Sequence, residues 1–120
     1  MRVFVGLLGL SLMVALGIAC GGPPKADIGS PCTKSEECND EKKLTCLTTF
    51  VSGYCGVEGC SSNSDCPTGS VCVSHKDGKK YCFQTCKEKD ECKSNASCTV
   101  NVIFTDGAQG DKVCQPTNVN

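Results

Sequence analysis

Twelve of the 13 cysteines in this 120-residue chain fall into three runs of four that share one rhythm. The runs are Cys32, Cys38, Cys46, Cys55; then Cys60, Cys66, Cys72, Cys82; then Cys86, Cys92, Cys98, Cys114. The first step is six residues in every run, the second is 8, 6 and 6, and the third is 9, 10 and 16. Other side chains keep the same register. An acid precedes each second cysteine (Glu37, Asp65, Glu91), and a tyrosine precedes the fourth cysteine in the first two runs (Tyr54, Tyr81). A shared period of this kind marks an internal repeat. Dense, evenly numbered cysteine in a small chain points to disulfides and an oxidising compartment. Aromatic residues make up only 5% of the chain and tryptophan is absent, so cross-links are expected to substitute for burial. The expected fold class is therefore small and disulfide-rich: three tandem four-cysteine units of short β-hairpins and loops with little hydrophobic core. The units span 32–55, 60–82 and 86–114.

Within each unit the first interval is polar and acid-rich, which suits a loop or a single helical turn. The third interval reads as a β-hairpin. Val71–Lys76 and Lys79–Phe83 flank Asp77-Gly78, a two-residue turn signal. Thr99–Phe104 alternates like a strand and returns through a longer loop holding Asp106-Gly107 and Gly110, while Leu47–Val51 turns at Ser52-Gly53. A two-residue loop at Asp77-Gly78 would place Cys72 and Cys82 on opposite faces and disfavour a third-to-fourth bond. First-to-third with second-to-fourth is the preferred pairing; first-to-fourth with second-to-third stays open.

Residues 1–19 read as a signal peptide. Met1-Arg2 is a minimal positive start, and Val3–Ala19 is a glycine-containing apolar stretch suited to an h-region. It ends Gly17-Ile18-Ala19-Cys20-Gly21-Gly22. This resembles a bacterial lipobox, in which the cysteine after a small residue is acylated and becomes the mature N-terminus. Gly17 stands where that family usually carries leucine, and Gly17-Ile18-Ala19 also satisfies ordinary signal-peptidase cleavage, which gives a secreted product. Removing Cys20 from the odd total leaves an even set for pairing. Residues 20–31, rich in glycine and proline, are expected to form a lipidated tether to a membrane. Gly21 is not the acidic residue that retains enteric lipoproteins at the inner membrane, so the resemblance implies an outer-membrane location.

The pattern Cys60-x5-Cys66-Pro67-x-Gly69-x2-Cys72-x9-Cys82-x3-Cys86 is similar to the N-terminal cysteine-rich module of Dickkopf proteins. It also resembles short cysteine-rich lipoproteins of myxobacteria that carry such units in tandem. The first unit lacks the Cys-Pro pair and has a wider second interval; the third has a long last interval. The resemblance implies an extracytoplasmic, disulfide-bonded interaction module, with a protein or glycan partner that the residues do not identify.

Other chemistries find little support. A formal net charge of −1 gives no basic footprint for nucleic acid. No Cys-x-Cys or Cys-x2-Cys occurs, the closest spacing being Cys82-x3-Cys86, so neither a zinc clip nor a thioredoxin-like pair is expected. His75, the single histidine, sits beside Ser74 and near Asp77, but neighbours on a strand face opposite ways, and it reads as an exposed hairpin residue. Glu36-Glu37, Asp40-Glu41 and Asp90-Glu91 read as solvated surface, Lys76, Lys79 and Lys80 as a solubilising edge, and Asn95-Ala96-Ser97 as a formal glycosylation acceptor. No catalytic residue, metal or cofactor is expected. The function this supports is a lipid-anchored, non-catalytic envelope module. The alternative is an inhibitor of extracellular hydrolases, with the Phe104–Asp111 loop as its reactive segment.

Overall fold

The computed structural model describes residues 24–106 and 112–119. Among them, no helix is long and apolar enough to cross a membrane. The apolar leader and Cys20 lie outside the described residues.

Six disulfides join first to third and second to fourth cysteine within each set: Cys32–Cys46, Cys38–Cys55, Cys60–Cys72, Cys66–Cys82, Cys86–Cys98 and Cys92–Cys114. This is the preferred pairing, reached by a different geometry. The hairpin turn closes through His75 N–H to the Lys79 carbonyl, with Gly78 N–H returning to the His75 carbonyl and Gly78 at φ +85°. The loop is therefore three residues long with a glycine bulge, and the register moves by one. Cys72 then lies directly opposite Cys82 on the same face, not the opposite one. Cys46 faces Cys55 and Cys98 faces Cys114 in the same way.

What separates these facing cysteines is the loop between the first and second cysteine of each set. A 3-10 turn forms there in every set, at Ser35–Glu37, Asn63–Asp65 and Lys89–Glu91. The acid before the second cysteine folds it. Glu37 accepts the N–H groups of Thr33 and Lys34, Asp65 those of Ser61 and Ser62, and Glu91 those of Lys87 and Glu88. Two otherwise orphaned donors are satisfied by one carboxylate, the logic of a helix cap. In the first two sets the loop is also fastened to the hairpin: Ser35 Oγ accepts Cys46 N–H at 3.0 Å, and Asn63 Oδ1 accepts Cys72 N–H at 2.9 Å. Lying across the hairpin, the loop offers one cysteine to each facing partner.

Among the described residues seven short strands make one sheet: β1 Thr45–Cys46, β2 Cys55–Glu58, β3 Ser70–Ser74, β4 Lys80–Cys86, β5 Ser97–Thr99, β6 Ile103–Phe104 and β7 Lys112–Gln115. The order is β1-β2-β4-β3-β6, with β7 pairing β4 and β5. Consecutive sets join through the same register. Glu58, three residues after Cys55, pairs with Tyr81, one before Cys82; Thr85, three after Cys82, pairs with Val113, one before Cys114. The alternating Thr99–Phe104 stretch is not one strand. Thr99 Oγ1 takes the Asn101 N–H and Val102 N–H bonds the Val100 carbonyl, so the chain bends and β6 crosses to pair with β3.

Two further expectations are corrected. The core is more substantial than the composition suggested, because the few aromatics converge. Phe50, Tyr54, Tyr81 and Phe83 are each at most 1% exposed. Phe50 meets Tyr81, Phe83, His75 and Tyr54 edge-on at centroid separations of 5.1–6.2 Å, while Tyr81 stacks on Phe83. Strand alternation puts these rings on one face and the cystines on the other. Burying each ring contributes about 1.5–3 kcal/mol. The tether also ends earlier than expected. Ala26 bridges Cys38, Gly29 N–H bonds the Cys55 carbonyl and Cys55 N–H bonds the Ser30 carbonyl. Ile28 and Ser30 are buried, and Lys42 holds Asp27 at 2.9 Å. Residues 26–31 are thus a strap built into the fold.

Candidate functional site

Twelve of the sequence-predicted site residues, Cys32 through Cys114, are the six cystines. In each set the sulfurs of the first, second and fourth cysteines lie within 4.8 Å of one another. A soft metal ion needs thiolates, and every one of these sulfurs is held in a disulfide. The thirteenth cysteine, Cys20, lies outside the described residues.

His75 is not exposed. It is 4% accessible and packs edge-on against Phe50, Tyr81 and Phe83. Nε2 donates to Asn118 Oδ1 at 2.7 Å, and Nδ1 faces the Gln115 amide at 3.4 Å. The reason is strand alternation, which puts His75 on the face of Val71 and Val73, where the aromatic rings and Asn118 cover it. Ser74 lies on the opposite face, paired with Lys80 and Ile103. Asp77 is occupied by the Tyr81 hydroxyl at 2.7 Å and by Lys79 N–H. Partial burial opposes its ionisation, but these bonds outweigh that and hold the carboxyl below its ordinary range. No nucleophile, base and orienting acid converge here.

The carboxylate pairs are dispersed, and one member of each is engaged: Glu37, Asp40 and Glu91. The Thr33 hydroxyl and neighbouring N–H groups keep Glu37 acidic, and Lys25, 3.0 Å away, does the same for Asp40. Lys79 pairs with Glu58, whereas Lys76 and Lys80 form no ion pair among the described residues. Asn95 is exposed at a tight turn closed by Ala96 N–H to the Lys93 carbonyl. Of the expected reactive loop, Phe104 is partly buried against the core opposite Val73, and 107–111 lie outside the described residues. The exposed apolar side chains precede it: Val100 at 53% and Ile103 at 70%.

Sequence reasoning missed a buried polar group that bonds across the sets. The Tyr54 hydroxyl, fully buried, donates to the Cys114 carbonyl at 3.1 Å and accepts Gln84 N–H at 2.9 Å. One phenol therefore ties all three cysteine sets together, and burial pushes its ionisation well above the ordinary range. Its position before the fourth cysteine was visible; its partners were not. The clefts are open surface features. One of about 400 Å³ lies between Glu41–Lys43 and Asp65–Thr68, and none of its lining residues is buried.

Compared with known families, curated proteins and solved structures, the chain has no significant match in any of the three.

Proposed function

We propose that this protein is a lipid-anchored, non-catalytic cell-envelope module, a disulfide-stapled scaffold for binding held to a membrane by acyl chains on Cys20. The observation that carries the reading is cysteine parity. All twelve cysteines from Cys32 to Cys114 are paired with one another, and the thirteenth stands at the end of an apolar leader, after a small residue. Two or three acyl chains on one residue give firm anchoring where a single chain does not. With the strap beginning at Ala26, six residue steps from Cys20 reach at most about 20 Å, so the scaffold sits close to the bilayer. The lipobox resemblance favours the outer membrane.

Intact mass spectrometry of membrane-extracted protein, before and after reduction with alkylation, tests this. The expected result is an N-terminal Cys20 carrying acyl mass and twelve thiols that appear only on reduction. A lipid-free product would assign the protein to the secreted class.

The inhibitor alternative draws on one observation: Ile103 projects 70% exposed from a short strand beside a cystine-braced hairpin. Rigid presentation of an apolar side chain suits insertion into a hydrolase pocket. Absence of inhibition across a protease panel at micromolar concentration would eliminate it.

A further inference from the structure

The two cystines of the second set meet inside the fold and reach the surface at one point. Cys60, Cys72 and Cys82 are at most 4% exposed, whereas Cys66 is only partly buried. Cys66 lines the open cleft of about 400 Å³ between Glu41–Lys43 and Asp65–Thr68, which has room for a small molecule. Of the charged side chains there, Lys42 is held by Asp27, and Asp65 accepts the Ser61 and Ser62 N–H groups. Glu41 and Lys43 form no ion pair among the described residues, so the cleft offers one charge of each sign beside a disulfide sulfur. A thiolate is the nucleophile that attacks such a sulfur, and access decides which one is attacked.

Behind this entry point the sulfurs are stacked. Cys66 is bonded to Cys82, and the sulfurs of Cys60, Cys66 and Cys82 lie within 4.8 Å of one another. Cys60 is bonded in turn to Cys72. A thiolate that attacks Cys66 expels Cys82, which then stands beside the second cystine. Burial leaves a thiolate at Cys82 poorly solvated, and the neighbouring Cys60 sulfur gives it a way to lose its charge. Attack on Cys60 closes a Cys60–Cys82 bond and expels Cys72. Thr105 Oγ1 already donates to the Cys72 sulfur at 3.4 Å, a bond that strengthens when its acceptor becomes an anion.

We propose that Cys66 is a covalent capture site for a small zwitterionic amino thiol, with Glu41 and Lys43 receiving its charged groups, Cys82 and Cys60 passing the exchange inward, and Thr105 holding the Cys72 thiolate that ends it. Two S–S bonds break, Cys66–Cys82 and Cys60–Cys72. Two form, one between Cys66 and the incoming thiol and one between Cys60 and Cys82. The charge of the incoming thiolate ends on Cys72, so no oxidant or reductant is consumed. The proposal is independent of the anchor on Cys20.

The test incubates the natively folded full chain with L-cysteine, quenches with acid, alkylates in denaturant and maps the peptides without reduction. The expected products are a cysteinyl adduct on Cys66, a Cys60–Cys82 linkage and an alkylated Cys72. Thr105→Val removes a hydrogen bond to a charged group and should lower the ratio of Cys72 to Cys82 thiols about tenfold. Glu41→Gln with Lys43→Gln should slow adduct formation at Cys66 about threefold, the scale of exposed charge pairing. No adduct at Cys66, a free thiol that stays on Cys82 without a Cys60–Cys82 linkage, an unchanged thiol ratio in Thr105→Val, or an unchanged rate in the charge variant would each overturn the proposal.

Discussion

Replacing Tyr54 by phenylalanine removes one oxygen and leaves the ring in place, which makes it a clean probe of how the three cysteine sets are held together. In the native fold the Tyr54 hydroxyl accepts from Gln84 N–H and donates to the Cys114 carbonyl, away from water. Phenylalanine strands the Gln84 donor, a cost of about 1–3 kcal/mol for a buried group, and removes one net hydrogen bond to Cys114, about 1 kcal/mol. The expected destabilisation is about 2–4 kcal/mol, which for a domain of this size lowers Tm by roughly 10–30 °C. Calorimetry with the disulfides intact measures the shift, and amide exchange at Gln84 locates it. Tyr81→Phe is the control, because the Tyr81 hydroxyl bonds only the exposed Asp77 carboxylate and its loss should cost about 1 kcal/mol. Equal Tm changes for the two variants, or unchanged Gln84 protection in Tyr54→Phe, would refute the idea that this phenol couples the sets.

Three further outcomes are expected. At Gly53, φ is +69° and an added Cβ would meet the Cys32 carbonyl oxygen, so Gly53→Ala should cost more than about 3 kcal/mol and impair Cys32–Cys46 closure; Gly78→Ala, with φ +85° but open space around it, should cost only about 1–2 kcal/mol. Denaturant melts and oxidative refolding yields compare the pair. Asp65→Ala frees the Ser61 and Ser62 N–H groups and should lower stability by about 1 kcal/mol, with faster exchange at those two amides. Stability should also fall at both pH extremes, as unfolding free energy measured against pH will show. Burial raises the ionisation of Tyr54 and, together with the Asp77 bond, that of Tyr81, so their contribution is complete below the unfolded value near 10 and declines above it. Asp27, held acidic by Lys42 and the Ile28 N–H, together with Glu37, Asp40 and Asp77, contributes stability above the unfolded value near 4 that is lost on further acidification. A flat profile from pH 8 to 11 would count against the phenol burial.

The sequence alone determined the repeat of four cysteines and its register, and left the pairing open. Cysteine spacing and the acid before each second cysteine define where the three loops begin and fold, since a carboxylate three and four residues along can satisfy the two leading N–H groups through local geometry alone. Tertiary structure decided everything that depends on non-local register. Whether Cys72 faces Cys82 turns on one residue of hairpin length, set by where Gly78 takes its left-handed conformation, and composition does not encode that choice. Residues 26–31 dock on the first set itself, the rings of Phe50, Tyr54, Tyr81 and Phe83 converge between the first and second sets, and His75 is covered by Asn118 because the third set closes back on the first. That closure links residues sixty to seventy positions apart, and no local pattern along the chain announces it.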